Sequence, residues 1–343
     1  MDSHGIAWGW IKTSPHNVKC SKEGYPEENI KRERIDLKEV IVKAPATIAN
    51  FGPGFDVFSL ALEEPYDIVK VRLNDKNSIN VKIVGMDEGI PISVENNTAG
   101  LAATHFFEET NLSKGVDVEI RKRMISCAGL GTSGASAVAC VYGLNILFGA
   151  NLGHNEIIEI ASRGEIASGG VAHADNVAGC LLGGFVLIKN YRPIDVVKIE
   201  VPNVPIVICI IKKAKRTTRG SIPDRISLNK VREQISYSSS LIHAILSGNL
   251  KDIGEAVNRD NISEPVRSRF IPRYDDIKKK VLEAGAYGCN VSGGGSSIFA
   301  ICEEDKTGEI AEIMKNICSQ GGVENKVIIT KASNTGVEEI NGL

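Results

Sequence analysis

The feature that most constrains this chain is a run of small residues at positions 129–136, GLGTSGAS. It follows a segment with strand-like alternation and precedes SAVACVYGLNILFG, which has the composition of a buried helix. A glycine-rich turn from strand to helix gathers unpaired backbone N–H groups and the positive end of a helix dipole. That arrangement suits a phosphate group. The alternative is a plain tight turn in which Ser133 caps the helix.

A dinucleotide-binding unit does not fit this context. Gly129, Gly131 and Gly134 spell G-x-G-x-x-G, but that motif needs a second strand ending in an acidic residue about 20 positions on. Residues 154–160 have a helical pattern instead. Strand patterns at residues 39–47, 66–75, 78–85 and 205–211 and longer helical patterns, such as that at residues 228–248, follow a mixed order. We therefore predict an α+β chain with two domains at residues 37–190 and 191–343, preceded by a poorly ordered extension at residues 1–36.

Composition argues against several classes of function. The 343 residues carry 40 Lys and Arg against 42 Asp and Glu, so no positive charge excess favours nucleic-acid or membrane-surface binding. No apolar run approaches the roughly 20 residues that span a bilayer. The N-terminus lacks the layout of a secretory signal. The eight cysteines form no C-x-x-C pair and are typical of reduced, buried thiols. We expect a cytoplasmic protein that binds neither nucleic acid nor membrane.

Two further glycine-rich stretches indicate a shared site. APATIANFGPGFD, at residues 44–56, combines prolines and glycines with Asn50 and Asp56. VSGGGSSIFA, at residues 291–300, places three glycines and three serines between apolar segments. One such stretch is explained by a turn, whereas three in one chain predict turns that meet around one ligand.

These stretches resemble motifs of the GHMP kinases and, within that family, those of the homoserine kinases. GLGTSGASAVA resembles the ATP loop, APATIANFGPGFD the substrate loop and VSGGGSSIFAI the third glycine motif. HADN, LLGGFVL and SEPVRSRFIP are most similar to the homoserine kinase pattern. The resemblance runs from about residue 40 to the end of the chain. It departs at residues 124–126, Met-Ile-Ser, where the family usually has a proline before the ATP loop.

The resemblance implies a fold and a reaction. The N-terminal domain would resemble domain 2 of ribosomal protein S5, and the C-terminal domain would be ferredoxin-like. The enzyme would use ATP and Mg²⁺ to phosphorylate the hydroxyl of L-homoserine in threonine biosynthesis. Another GHMP small-molecule kinase, of the shikimate or mevalonate type, and a non-catalytic GHMP-fold binding protein are the alternatives. The oligomeric state stays open, with a homodimer as one candidate.

The resemblance also assigns the nucleotide and metal contacts. Mg²⁺, which prefers oxygen ligands, would be bound by Ser133 and Glu165. Without the resemblance, Glu165 would be interpreted as a solvated helix carboxylate. The residues expected to contact the nucleotide are Ser126, Gly129, Leu130, Gly131, Thr132, Ser133, Gly134, Ala135, Gly293 and Gly294, with Asn97 and Thr98 near the adenine.

Homoserine carries an ammonium group, which needs acceptors, and a carboxylate, which suits a guanidinium group. The expected substrate-binding residues are Asn50, Asp56, His173, Asn176, Arg219 and Arg267. Catalytic roles are expected for Asp175, Asn176 and Arg219. Whether a carboxylate acts as a base, or positioning alone suffices, stays open. In KRTTRGSIP, Lys215 stands where the family has a threonine, and Thr217 or Thr218 is the alternative substrate contact.

Overall fold

The structure of the chain is a computed structural model that describes residues 37–85, 89–126, 128–169, 172–211 and 219–342. The predicted extension at residues 1–36 lies outside the described residues. The described strands are β1 (Glu39–Ala49), β2 (Phe58–Asn74), β3 (Ile79–Gly85), β4 (Gly115–Lys122), β5 (Phe185–Tyr191), β6 (Ile194–Ile199), β7 (Pro205–Ile211), β8 (Gly288–Val291), β9 (Ser297–Ile301), β10 (Asn325–Lys331) and β11 (Glu338–Glu339).

Helices alternate irregularly with these strands. The described helices are α1 (Thr98–Thr110), α2 (Thr132–Phe148), α3 (His154–Gly164), α4 (Ile166–Gly169), α5 (Ala174–Leu182), α6 (Leu228–Ser247), α7 (Leu250–Val257), α8 (Glu264–Arg267), α9 (Tyr274–Glu283) and α10 (Thr307–Gln320). The predicted α+β class is confirmed. Within the described ranges, no helix is long and apolar enough to cross a membrane.

The larger sheet has the strand order β11-β1-β2-β4-β3, and β5 joins it by pairing with β2 and with β6. Its pairs are antiparallel except for β3 with β4. Side chains alternate between its faces, as in β2, where Val69 and Val71 are fully buried and Lys70 and Arg72 face outward. Helices α1, α2, α3 and α5 pack together, and α2 and α5 cover the inner face of β1 and β2.

The smaller sheet has the order β10-β7-β9-β8, with every pair antiparallel. Every residue of β7, PIVICII, is buried, which is why its sequence is continuously apolar rather than alternating. Helices α9 and α10 bury Ile277, Val281 and Met314 in a core shared with this sheet. Helices α6 and α7 bury their apolar residues in a second core cluster, which combines residues of the larger sheet with Ile206 and Ile208 of β7 and Phe299 of β9, and α7 contacts β8 and β9.

The strand patterns around residues 40–48, 66–74, 78–85 and 205–211 and the longer helical patterns are confirmed, whereas β6 and α5 were not predicted. Strand β6 lies beyond residue 190 and pairs with β5, and β7 begins the smaller sheet at Pro205. The division of the chain at residue 190 stays a prediction.

Aromatic packing connects the two sheets behind the end of β1. The ring of Phe51 stacks on that of Phe299 in β9, with centroids 5.5 Å apart and an interplanar angle of 15°. It also meets the ring of Phe185 in β5 edge-on at 6.2 Å. All three side chains are buried, so the loop that follows β1 is held between the sheets.

Candidate active site

The three glycine-rich stretches meet in space. We call residues 129–134 the glycine loop, residues 50–56 the proline–glycine loop and residues 292–296 the serine–glycine turn. The backbone N–H of Thr47, just before the proline–glycine loop, donates to the carbonyl oxygen of Leu130 at 3.1 Å. The backbone N–H of Gly293 donates to the carbonyl oxygen of Ala49 at 3.2 Å. The predicted convergence of these turns is therefore observed.

Two glycines of the glycine loop are required by its shape. Gly129 has φ +80° and Gly131 has φ +65°, a region that favours glycine. A Cβ on Gly129 would lie 2.4 Å from the carbonyl oxygen of Ser292, and one on Gly131 would lie 2.1 Å from Oγ1 of Thr47. Gly131 is the N-cap of α2, so Ser133 does not cap this helix as the plain-turn alternative required.

A buried ion pair supports the start of α2. Nζ of Lys122 binds the Asp67 carboxylate and the Thr132 hydroxyl, and it lies 3.3 Å from Oγ of Ser136. The Thr132 hydroxyl donates to Oδ2 of Asp67 at 3.0 Å. Asp67 is fully buried and Lys122 is 5% exposed. The hydroxyl of Thr132, expected to face the nucleotide, thus takes part in this buried network.

Sequence reasoning missed Asp67 and Lys122, although the alternation held a signal. Lys122 lies two and four residues after the buried Ile120 and Val118 in β4, and Asp67 lies two residues before the buried Val69 in β2. Each charged residue is therefore on the inward face of its strand. A charged residue on the inward face of a strand needs a partner of opposite charge. Two such residues on neighbouring strands, next to a phosphate-binding turn, therefore predict an ion pair beneath that turn.

The half-buried Ser133 and the buried Glu165 form a second pair beside the glycine loop. Oγ of Ser133 donates to Oε2 of Glu165 at 3.1 Å, and Glu165 is 3% exposed. Burial raises the pKa of Glu165 to about 7, while the bond from Ser133 and the charge of Lys122 oppose that rise. The alternative of a solvated helix carboxylate is therefore wrong for Glu165.

These two side chains fit a magnesium ion. Within the described ranges, Oε1 of Glu165 is buried without a hydrogen-bond partner, which leaves an acceptor available to a hard cation. No group of three or more His, Cys, Asp and Glu that could hold a metal occurs in the described part of the chain. Ser133 and Glu165 would therefore supply part of an octahedral shell. The remaining ligands would be phosphate oxygens and water, as is common for Mg²⁺.

A group of charged side chains lies next to this pair. Asp175, in the first turn of α5, is 3% exposed. Burial raises its pKa to about 7, the negative charges of Asp56 and Glu165 add to the rise, and the positive charge of Arg267 opposes it. Asp56, Glu165 and Arg267 therefore each lie within electrostatic range of Asp175. Residues predicted for the substrate and for the metal are thus gathered in one region.

Asn176 borders the glycine loop. The Thr47 hydroxyl donates to its Oδ1 at 2.9 Å, and its backbone N–H donates to Oδ1 of Asp175 at 2.9 Å. An amide whose oxygen accepts from a hydroxyl presents its NH₂ group on the other side. Asn176 is therefore oriented as a hydrogen-bond donor next to the carboxylate of Asp175.

Asn50 and Arg267 meet through the hydroxyl of Ser263. Oδ1 of Asn50 accepts from the backbone N–H of Asp56 at 3.0 Å, and its Nδ2 donates to Oγ of Ser263 at 3.3 Å. One terminal nitrogen of Arg267 donates to Oγ of Ser263 and to the carbonyl oxygen of Gly293, each at 2.8 Å. Arg267 is 5% exposed, so it is no surface charge. Ser263 was not predicted, although it begins the SEPVR element.

Other predicted residues are placed less fully. The backbone of Arg219 begins a short 3₁₀ turn, Arg219–Ser221, but its side chain and residues 212–218, with Lys215, Thr217 and Thr218, lie outside the described residues. Asn97 caps α1: its Oδ1 accepts from Ala99 at 3.0 Å and from Gly100 at 3.1 Å. The roles assigned to the site residues, including Asn97, Thr98, Ser126, Gly294 and His173, stay predictions.

The chain matches two family descriptions, "GHMP kinases N terminal domain" over residues 97–184 and "GHMP kinases C terminal" over residues 241–320. It is 34% identical over 284 residues to a homoserine kinase of Methanococcus vannielii, covering 82% of this chain and 93% of the relative. It is 38% identical over 282 residues to one of Methanopyrus kandleri, covering 81% and 92%.

A solved structure gives the same result. The homoserine kinase of Cytophaga hutchinsonii has a TM-score of 0.83 and 36% identity with this chain. The match covers 89% of this chain and 98% of that one. The likeness therefore extends over most of this chain and nearly all of the other.

Proposed function

Because this chain belongs to the homoserine kinases of the GHMP family, we propose that it transfers the γ-phosphoryl group of ATP to the hydroxyl of L-homoserine. The products are O-phospho-L-homoserine, an intermediate of threonine biosynthesis, and ADP. One observation supports this most: the glycine loop and the Ser133–Glu165 pair lie beside a group containing Asp56, Asp175 and Arg267. A phosphate site thus adjoins a pocket with charges of both signs.

The nucleotide side of this proposal rests on the glycine loop. Backbone N–H groups at the start of α2 and the dipole of this 17-residue helix attract the phosphate tail of ATP. Ser133 and Glu165 would hold Mg²⁺, which when bound neutralises charge on the phosphate oxygens. Burial raises the pKa of Glu165 to about 7. A bound cation would lower that pKa, because a nearby positive charge favours the ionised carboxylate.

The substrate side has the charge pattern of a zwitterion site. The negative charge of Asp56 adds to the cost of ionising the buried Asp175, and a cation between the two carboxylates would relieve that cost. We assign the ammonium group of homoserine to this place. Arg267 supplies a guanidinium for the carboxylate, and the NH₂ group of Asn176 donates to the hydroxyl oxygen. The substrate hydroxyl then lies next to the glycine loop, because Asn176 does.

This assignment makes Asp175 a binding group rather than a base. Phosphoryl transfer depends chiefly on positioning and on neutralising the phosphate charge. The hydroxyl proton then passes to an oxygen of the transferred phosphoryl group. Asp175→Asn separates the two roles: loss of an ammonium partner raises the KM for homoserine more than it lowers kcat, whereas loss of a base lowers kcat by about 10²- to 10⁴-fold.

The experiment that tests the function is an ADP-release assay on the purified chain with ATP and Mg²⁺ and, in turn, homoserine, shikimate and mevalonate. We expect turnover with homoserine alone, because shikimate and mevalonate offer no ammonium group to Asp56 and Asp175. Turnover with another alcohol would assign the chain to a different GHMP substrate. Nucleotide binding without turnover of any alcohol would favour the non-catalytic alternative. The homodimer and the cytoplasmic location stay predictions.

A further inference from the structure

The side chain of Gln234 joins two segments of the proposed substrate site that are far apart in sequence. Gln234 lies on α6 and is 7% exposed. Its Nε2 donates to the carbonyl oxygen of Pro53 at 2.7 Å and to Oδ1 of Asp260 at 3.2 Å. Its Oε1 accepts from the backbone N–H of Asn261 at 2.8 Å. Both ends of this buried amide are therefore engaged, one of them by the proline–glycine loop.

The partner of Gln234 on the other side is a carboxylate that shapes a turn. Asp260 is 8% exposed, and its Oδ1 accepts from the backbone N–H groups of Ile262 at 2.8 Å and of Ser263 at 3.1 Å. Its Oδ2 accepts from the backbone N–H of Glu264 at 2.8 Å. This turn leads into α8 and sets the position of Ser263 and, one helical turn later, of Arg267.

The proline–glycine loop needs such external support. Asn50, Phe51 and Asp56 adopt the left-handed region, with φ of 66°, 41° and 60°. Non-glycine residues hold that conformation only where their surroundings fix it. The carbonyl oxygen of Pro53, in the middle of the loop, accepts from Gln234 and also from Oγ of Ser238 at 2.9 Å. Helix α6 thus anchors the loop from outside the pocket.

The geometry points to Gln234 as a positioning residue that fixes the spacing between the two ends of the bound amino acid. The inference rests on the proposed function. The loop carries Asn50 and Asp56, assigned to the ammonium side, and the turn leads to Arg267, assigned to the carboxylate. Gln234 is hydrogen-bonded to the loop and to the turn, and it is not one of the residues assigned to homoserine or ATP. Without its amide, the segments of Asp56 and Arg267 keep only the 3.3 Å bond between Asn50 and Ser263 as a direct link, while the glycine loop keeps its own bonds to Thr47 and Ser292.

Steady-state kinetics of Gln234→Leu tests this role. Leucine has a similar size but lacks the donor and the acceptor. We expect the KM for homoserine to rise about ten- to a hundredfold, since small misplacements of binding groups have effects of that order. The KM for ATP should stay within about twofold. Ser238→Ala, which removes one of the two donors to Pro53, should raise the KM for homoserine by a smaller factor.

The matched control is Ser240→Ala on the exposed side of the same helix. Among the residues that the structure describes, the Ser240 hydroxyl bonds only within α6, to the carbonyl oxygen of Ser236 at 2.8 Å. This variant should retain the wild-type constants. If Gln234→Leu left the KM for homoserine unchanged, or raised both KM values equally, the positioning role would be overturned. If Gln234→Leu does not fold, Gln234→Glu replaces it, because glutamate keeps the shape and the acceptor. The KM for homoserine should again rise while the KM for ATP stays nearly unchanged.

A readout that needs no substrate separates this inference from the proposed function. Hydrogen exchange of the ligand-free proteins reports on the backbone of residues 50–56 and 260–267. In Gln234→Leu both segments should exchange faster than in wild type, with residues 129–135 unchanged. Equal exchange in the two proteins would contradict the coupling. If wild type did not phosphorylate homoserine, the proposed function would fail, and the exchange data would still decide whether Gln234 holds the two segments together.

Discussion

The ionised form of Asp175 should destabilise the ligand-free protein, and Asp175→Asn should remove that cost. The pKa of this carboxyl is raised from 3.8 to about 7, first by burial and then by the negative charge of Asp56. Ionising this carboxyl in the folded protein lowers the free energy of unfolding by about 4 kcal/mol. Asparagine has the same shape and can still accept the backbone N–H of Asn176, so the variant isolates the charge.

The direction of the pH dependence follows from proton counting. Below pH 3.8 the carboxyl is protonated in both states and contributes no difference. Between pH 3.8 and about 7 the unfolded chain ionises while the folded protein retains the proton, so stability falls as pH rises. Above about pH 7 the cost is constant. The free energy of unfolding of Asp175→Asn should therefore equal that of wild type near pH 4 and exceed it by up to about 4 kcal/mol near pH 8.

Urea unfolding of both proteins at a series of pH values, without nucleotide or substrate, measures this difference. The matched control is Asp117→Asn on the outer face of β4. Hydrogen bonds from Asn80 and Arg72 lower the pKa of Asp117. This variant should therefore be less stable than wild type above the ordinary pKa of an aspartate, and the two should become equally stable as the pH falls. A difference in the free energy of unfolding between Asp175→Asn and wild type that did not change with pH would refute the reasoning.

Three further perturbations test the site. Glu165→Ala should abolish Mg²⁺-dependent turnover while the urea unfolding midpoint at neutral pH does not fall; a wild-type rate would remove the metal assignment. Arg267→Leu should raise the KM for homoserine far more than that for ATP in initial-rate assays, and an equal rise in both would contradict its carboxylate role. Gly131→Ala should weaken nucleotide binding by calorimetry at least about tenfold, because a Cβ there would lie 2.1 Å from Oγ1 of Thr47; unchanged affinity would show that the loop tolerates the side chain.

The glycine motifs were the part of the site that sequence could predict. Gly129 and Gly131 occupy backbone conformations that other residues avoid, so their requirement leaves a direct mark on the sequence. The strand PIVICII was predicted because full burial makes it continuously apolar, and the longer amphipathic helices were predicted because burial of one face imposes a period on them. Strand β6 and helix α5 were missed, since α5 begins in HADN, where chemistry rather than helix propensity selects the residues.

The polar supports outside the strands were beyond sequence reasoning. Gln234 is one polar residue of a helix with many, and nothing in α6 marks it as buried against Pro53. Asp260 sits in a turn rich in side chains that often bond their own backbone, so its bond to α6 carries no local signal. Asn97 has an N-cap pattern that competes with the adenine assignment. These roles depend on contacts between segments far apart in sequence, which periodicity does not encode.

The central claim is that turns from distant parts of the chain surround one nucleotide tail beside a zwitterion pocket. A crystal structure with a non-hydrolysable ATP analogue, Mg²⁺ and homoserine tests it most directly. We expect the terminal phosphate at the glycine loop, the metal bound by Ser133 and Glu165, and the amino acid between Asp56 and Arg267 with its hydroxyl facing the phosphate. A nucleotide bound elsewhere, or an amino acid whose hydroxyl faces away from that phosphate, would contradict the account.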